Sequence, residues 1–391
     1  MSVTAAQGFV AAGVAAGIKS TGAKDVTVVV NDGPDKVAAG VFTTNRVEAA
    51  PVTWSRQVAS DGRVDAVILN SGGANACTGP EGFADTHATA EHVAAALGAA
   101  GRSIASGDVA VCSTGLIGVR LPMDSLLKGA DAAIAGLSPD GGEDAAAGIM
   151  TTDSVSKTAV ATRDSWTVGG MAKGAGMLAP GMATMLCVVT TDAAIDAEVA
   201  NHALASAVRQ TLNRVDSDGC MSTNDTVLLM ASGASGTQVG AVEFEEALTE
   251  VLASLARQLV ADAEGAGHDI AVTVKNATTE DAAEAVARAI TRSNLFKTAI
   301  FGNDPNWGRI ISAAGTVPED VAPFDARSLD VFVNDIQVCR NAGVGEDRDL
   351  VDLTGREVSV VVDLHAGEAV ATVWTNDLTH DYVHENSAYS S

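Results

Sequence analysis

Aromatic side chains are scarce in this sequence, at 4% of 391 residues. A core must then be built from Ala, Val, Leu, Ile and Met, and the 47% hydrophobic content supplies ample material for one. A disordered or fibrous chain is thereby excluded. Positive charge is also thin: 24 Lys and Arg stand against 49 Asp and Glu, a formal charge of -25. A field of that sign repels phosphate backbones and anionic lipid, so neither nucleic acid nor a membrane surface is an expected partner.

Cysteine is sparse too. Cys77, Cys112, Cys187, Cys220 and Cys339 show no C-x-x-C spacing and are odd in number. They read as buried thiols in a reducing compartment. No apolar run reaches the roughly 18 residues that a spanning helix needs. The first residues lack the basic stretch and long apolar segment of a secretory signal, and the expected location is the cytoplasm.

Standard catalytic signatures are missing. There is no G-x-S-x-G elbow, no phosphate-binding G-x-x-x-x-G-K-[ST] loop and no H-E-x-x-H. The seven histidines do not cluster at metal-ligand spacing, so no metal is expected.

What is present is an alternation of short β-branched runs with helix-period segments. Residues 25–30, 64–70 and 108–113 read as strands ending in Gly- or Ser-rich loops. Residues 83–97 and 282–290 show helical spacing. Phe244, Leu248, Val251, Leu255 and Leu259 form the stripe of an amphipathic helix. Residues 328–333, 357–362 and 369–374 again read as strands. The mixture argues for α/β layers in two closely packed lobes. Gly141-Gly142 and the stretch from Gly345 to Asp347 read as loops.

The most informative stretch runs from Trp166 to Asp192. It begins with a strand at 166–168, passes through a glycine-rich segment and Pro180, and ends in an apolar strand at 185–189. Gly174, Gly176 and Ala179 match the dinucleotide pattern G-x-G-x-x-G/A. That pattern needs a helix to open at its third position. Pro180, Gly181 and a β-branched run follow instead, so the nucleotide reading is set aside.

The run KGAGMLAPGMATML, Lys173 to Leu186, resembles the signature of the glutamate N-acetyltransferase/ornithine acetyltransferase family. CSTGLIG from Cys112, MTTD from Met150, DGCMSTNDT from Asp218, FGNDPNWGR from Phe301 and the ending NSAYSS from Asn386 are similar to further family motifs, in the same order. With Gly17-Ile18-Lys19 and Val41-Phe42-Thr43, the likeness covers essentially the whole chain.

The resemblance implies a layered α/β sandwich cut by the protein itself between Ala183 and Thr184. Residues 1–183 would form an alpha chain carrying the oxyanion hole. Residues 184–391 would form a beta chain that begins with the nucleophile and carries substrate-binding residues. Physically, a new N-terminal threonine has an α-amine of pKa about 7.7–8.0, low enough to take the proton of its own hydroxyl. The resemblance further implies an oxyanion hole from the Thr114 hydroxyl and the Gly115 N–H, and substrate contacts from Thr151, Lys173, Thr184, Glu264, Asn386 and Ser391. Lys173 suits a carboxylate and Glu264 an ammonium. Taken alone, Lys173 reads as a surface-loop lysine and Glu264 as a solvated charge at a helix end.

The implied reaction is ping-pong transfer of acetyl from N-acetylornithine to glutamate in arginine biosynthesis, without metal or soluble cofactor. Acetyl-CoA as a second donor stays open. The implied assembly is a heterotetramer of two alpha and two beta chains. Two places depart from the family pattern: Gly73, where an Asn is frequent, and Ala266-Gly267-His268-Asp269 after Glu264-Gly265. Two other functions use the same features. One is a self-processed N-terminal-nucleophile amidohydrolase or aminopeptidase with water as acceptor. The other is an uncut amino-acid-binding protein.

Overall fold

The computed structural model describes residues 2–179 and 185–388. The chain forms two compact units. One holds residues up to 213 together with Cys220–Asp262, and the other holds Arg214–Gly219 together with residues from 263 onward.

In the first unit a four-stranded sheet runs in the order Phe9–Val14, Val26–Asn31, Ala66–Ser71, Val109–Thr114, with only the last pair parallel. All six residues of each of its last three strands are buried. The reason is that both faces are covered, so the strands are mostly apolar, with polar residues mainly at their ends, rather than alternating. Val28, Val30, Ile68 and Val111 pack with the helices Gly79–Ala99 and Met123–Ala135. Val29, Val67, Leu69 and Cys112 face Met171, Leu186, Val188 and Leu228 of a second sheet.

That second sheet has five strands in the order Val37–Phe42, Thr226–Ala231, Leu186–Thr191, Thr167–Lys173, Lys157–Thr162. The helices Ala197–Gln210 and Ala241–Ala261 cover its other face. The result is a helix–sheet–sheet–helix sandwich. The expected helical stripe is the buried face of Ala241–Ala261, with Phe244, Leu248, Val251, Leu255 and Leu259 at most 1% exposed. Burial of each such side chain is worth about 1.5–3 kcal/mol.

The second unit has a six-stranded sheet in the order Gly343–Val344, Ile336–Arg340, Asp330–Val333, Glu357–Asp363, Asp269–Ala277, Ala369–Asn376. Asp269–Ala277 alternates buried and half-buried residues, and Ile270, Val272 and Val274 pack with Val286 and Ile290 of the helix Glu280–Thr291. Residues 214–219 belong here because Val215 bridges to Trp374.

Several expectations need correction. Gly142 opens a short helix, Gly142–Gly148, rather than lying in a loop. That helix packs so closely on the first strand that a Cβ at Gly13 would fall 1.8 Å from the Asp144 carbonyl oxygen. The strand placed at 166–168 is Thr167–Lys173 and runs straight through Gly169 and Gly170. A Cβ at Gly169 would sit 2.3 Å from the Ser2 carbonyl oxygen, and one at Gly170 3.1 Å from Val251. These glycines admit close neighbours; they do not break the strand. Cys77 and Cys220 are exposed, and only Cys112, Cys187 and Cys339 are buried thiols.

Residues 180–184, with the expected cut between Ala183 and Thr184, lie outside the described residues, as does Ser391. The strands on either side, Thr167–Lys173 and Leu186–Thr191, are antiparallel neighbours from Val168↔Thr191 to Lys173↔Leu186. The expected chain boundary at 183/184 falls within the sequence range of the first compact unit.

Candidate active site

The Val109–Thr114 strand ends at Thr114, which is 3% exposed and opposite Ser71 in the parallel register. The loops that follow the two parallel strands are laced together. Gly73 N–H donates to the Thr114 carbonyl at 3.0 Å, Ala74 N–H to the Leu116 carbonyl at 3.0 Å, and Gly118 N–H to the Ala76 carbonyl at 2.9 Å. The Asn224 amide, buried, donates to the carbonyls of Ala74 at 2.6 Å and Ser113 at 2.9 Å. Gly115 has φ +130°, and a Cβ there would lie 2.7 Å from the Gly73 nitrogen. Only glycine fits both the conformation and the gap. At the departure position Gly73, a Cβ would meet only the tip of Leu121 at 2.9 Å.

Lys173, the last residue of its strand, is 1% exposed and not a surface-loop lysine. Its ammonium donates to Thr114 Oγ1 at 3.3 Å. Behind it sits Asp153, the last residue of the MTTD motif. Its Oδ1 accepts from Gly174 N–H at 2.6 Å and from Lys157 Nζ at 2.7 Å, and its Oδ2 accepts from Thr151 N–H at 2.9 Å. Burial alone would raise the Asp153 carboxyl, but the charges of Lys173 and Lys157 and these hydrogen bonds hold it down at about 2. Lys157, fully buried, also pairs with Asp262 at 2.5 Å.

Lys19 donates to the carbonyls of Lys24 at 2.8 Å and Met150 at 2.6 Å. Burial lowers its pKa, with Asp25 and Asp153 opposing. Asp225, buried, accepts from Met185 N–H at 3.0 Å and Ser222 N–H at 3.2 Å. Its burial pushes the carboxyl well up, against those donors and the Lys173 charge.

Thr114, Gly115, Thr151 and Lys173 thus stand in the first unit, tied by Asp153. In the second unit Glu264, expected as a solvated helix-end charge, is only 8% exposed. It lines a cavity of about 430 Å³ with Asp218, Arg292, Lys297, Asp377 and Tyr382. The turn that carries it is pinned: Gly267 and His268 N–H donate to Asp377 Oδ1 at 2.8 and 2.9 Å, and the His268 ring lies 2.8 Å from Asp377 Oδ2. Gly265 has φ +60°, and a Cβ there would fall 2.2 Å from the Tyr382 nitrogen. The departure after Glu264 therefore forms an anchored turn. Asn386 is exposed on the helix His380–Ala388 and donates to the Tyr382 carbonyl at 3.0 Å, one turn from the cavity-lining Tyr382.

Sequence reasoning gave no role to Asp153, Lys157, Asp262, Lys19, Asp225 or Lys297. Asp153, Asp225 and Lys19 lie inside the family-like motifs quoted above, whereas Lys157, Asp262 and Lys297 carried no signal. Among the described residues no group of three or more His, Cys, Asp or Glu is placed to hold a metal ion.

A strand-end hydroxyl, a glycine N–H in a conformation closed to other residues and a buried ammonium can together meet developing negative charge on a carbonyl, as acyl transfer requires. The ArgJ family model matches residues 10–391. The arginine biosynthesis bifunctional protein ArgJ of Streptomyces coelicolor is 62% identical over 391 residues, covering 100% of both chains. That of Bifidobacterium longum is 58% identical over 396 residues, again covering 100% of each. A crystal structure of Mycobacterium tuberculosis ornithine acetyltransferase complexed with ornithine is 61% identical, covers 47% of this chain and 96% of its own, and has a TM-score of 0.46. The chain belongs to the ArgJ family.

Proposed function

We propose that this chain is an ornithine acetyltransferase of arginine biosynthesis, moving acetyl from N-acetylornithine to glutamate through an acetyl ester on Thr184. The observation that carries the reading is the pairing at the end of the Val109–Thr114 strand, where the hydroxyl of Thr114, followed by the positive-φ Gly115, accepts from the buried Lys173 ammonium. The Thr184 hydroxyl attacks the acetyl carbonyl and its proton passes to the α-amine of the same residue. The oxyanion is met by the Thr114 hydroxyl and the Gly115 N–H. As the amide C–N bond breaks, the leaving ornithine amine takes the proton. The glutamate amine then attacks the ester carbonyl and gives a proton to the Thr184 α-amine; as the ester C–O bond breaks, the Thr184 oxygen takes that proton back and N-acetylglutamate leaves.

Thr151, Lys173, Glu264, Asn386 and Ser391 are the substrate-binding set in this reading. Lys173 serves a substrate carboxylate and Glu264 a substrate ammonium. The buried position of Glu264 in a cavity lined by charges of both signs supports an amino-acid ligand. Cleavage between Ala183 and Thr184 frees the α-amine, two alpha and two beta chains assemble, and the enzyme works in the cytoplasm. An acetyl-transfer assay with acetyl-CoA in place of N-acetylornithine tests whether acetyl-CoA is a second donor.

The test is intact-mass analysis of the purified protein beside Thr184→Ala, with acetyl transfer assayed from N-acetylornithine to glutamate and to water. Two chains, the second starting at Thr184, and an uncut, inactive variant are the expected result. A whole 391-residue chain that still transfers acetyl would overturn the mechanism. Release of free acetate in preference to N-acetylglutamate would favour a hydrolase.

A further inference from the structure

The Lys173 contact with Thr114 carries information beyond substrate binding. An ammonium has three donors and no acceptor, whereas a threonine hydroxyl has one proton and two lone pairs. At 3.3 Å, Thr114 Oγ1 must therefore be the acceptor from Lys173 Nζ. With a lone pair so engaged, the Thr114 hydroxyl turns its own proton away from Lys173. A hydroxyl that accepts from a cation is also a stronger donor, because the charge polarises its O–H bond.

We infer that Lys173 is a positioning residue for the oxyanion hole: it commits the Thr114 hydroxyl to donating toward the reacting carbonyl, and the buried Asp153 group holds Lys173 in place to do so. This rests on the reading of Thr114 as an oxyanion donor. Two features show that the place is built. Asp153 accepts from the backbone N–H of Gly174, the residue after Lys173, at 2.6 Å, which fixes the strand end. Lys157, held between Asp153 and Asp262, fills the other side of the same carboxylate. Asp153, Asp225 and Lys19 each interact electrostatically with Lys173, and Lys157 shares the Asp153 carboxylate. The orientation of the Thr114 proton is thereby set before any substrate arrives, which is what preorganisation of an oxyanion hole requires.

A double-mutant cycle on Lys173→Met and Thr114→Ala tests this, with kcat and KM measured per cleaved molecule and the cleaved fraction read by intact mass. Thr114→Ala is expected to lower kcat about 100-fold, the scale for loss of one oxyanion donor. Lys173→Met should lower kcat by a factor of about 10–100 in the native background and less than about 3-fold further in Thr114→Ala, because its partner is already gone. Lys173→Arg, also a donor only, should recover part of the loss.

Full additivity in kcat, with the Lys173 effect confined to KM, would make Lys173 a substrate contact alone and overturn the inference. An unchanged kcat in Thr114→Ala would sink the oxyanion reading itself, and the inference with it. Should Lys173→Met fail to fold, Lys173→Gln replaces it, since an amide can accept as well as donate. For a variant that stays uncut, the cycle is run on the self-cleavage rate, and additivity there overturns the inference equally.

Discussion

Each unit of this protein buries a lysine against polar groups, and the two do it in opposite ways. In the first unit Lys157 pairs with two carboxylates, Asp153 at 2.7 Å and Asp262 at 2.5 Å, and the shared Asp153 is held at about 2. In the second unit Lys297, 6% exposed, gives its hydrogen bonds to neutral groups, the Ser217 carbonyl and Thr375 Oγ1. Its burial lowers its pKa, and Asp218, Asp216 and Asp377 oppose this only through space. Buried charge is tolerable where a counter-charge lies within hydrogen-bond reach and is penalised where it does not. The first arrangement makes a fixed electrostatic frame. The second leaves an amine whose charge the fold disfavours.

The largest expected effect comes from removing the centre of the first arrangement. Asp153→Ala leaves Lys157 and Lys173 without their shared carboxylate and frees the N–H groups of Thr151 and Gly174. Breaking a buried pair in this way costs about 3–5 kcal/mol, to be read from thermal or urea unfolding beside the native protein. A loss under about 1 kcal/mol would mean that Asp262 alone suffices for Lys157, and would erase the contrast with Lys297.

The pH dependence sharpens the same point. The folded carboxyl of Asp153 lies at about 2 against an ordinary 3.8. Between those values the unfolded chain binds more protons, so stability is fully present above about 4 and lost as pH falls through about 2. The shift corresponds to roughly 2–3 kcal/mol. Stability measured from pH 5 down to 2 should lose that component in the native protein, and Asp153→Asn should lack it. Identical acid limbs would show that the charges of Lys157 and Lys173 do not act on Asp153.

Much of the fold was legible from period alone. The stripe Phe244, Leu248, Val251, Leu255, Leu259 repeats at helical steps because one face of a surface helix is buried, and strands such as Val26–Asn31 (VTVVVN) lack polar alternation because both faces are buried. Lys173 was misread because Gly169-Gly170 sounds like a loop; what those glycines accommodate, the Ser2 carbonyl and Val251, is fixed by tertiary packing. Asp262 meets Lys157 across 105 residues, a pairing no local window contains. Thr114 and Gly115 were picked out by resemblance, whereas the role of Gly115 as a close-packed residue with positive φ needed the backbone. Glu264 gave the same lesson in reverse, since a helix-end charge looks solvated until the turn that follows it is seen anchored to Asp377.

The smallest expected effect is at Lys297, and its direction is the real test of the comparison. Lys297→Met removes a buried ammonium that the fold disfavours, while leaving the Ser217 carbonyl and Thr375 hydroxyl without that donor. Lost hydrogen bonds of this kind cost about 1–3 kcal/mol and relief from burying the charge offsets them, so stability near pH 7 should change by less than about 1 kcal/mol. The folded pKa lies below the ordinary 10.5 of a lysine. The unfolded chain therefore binds more protons in the window beneath 10.5, and the native protein should gain stability as pH rises through the folded value toward 10.5. The slope has the same sign as that of Asp153 for the opposite reason: there the charged form is favoured by the fold, here the neutral one. Chemical denaturation from pH 7 to 10.5 should show that gain in the native protein and its absence in Lys297→Met. A variant as damaged as Asp153→Ala, with no alkaline gain in the native protein, would mean that the distant Asp216, Asp218 and Asp377 pair with Lys297 as firmly as Asp153 does with Lys157.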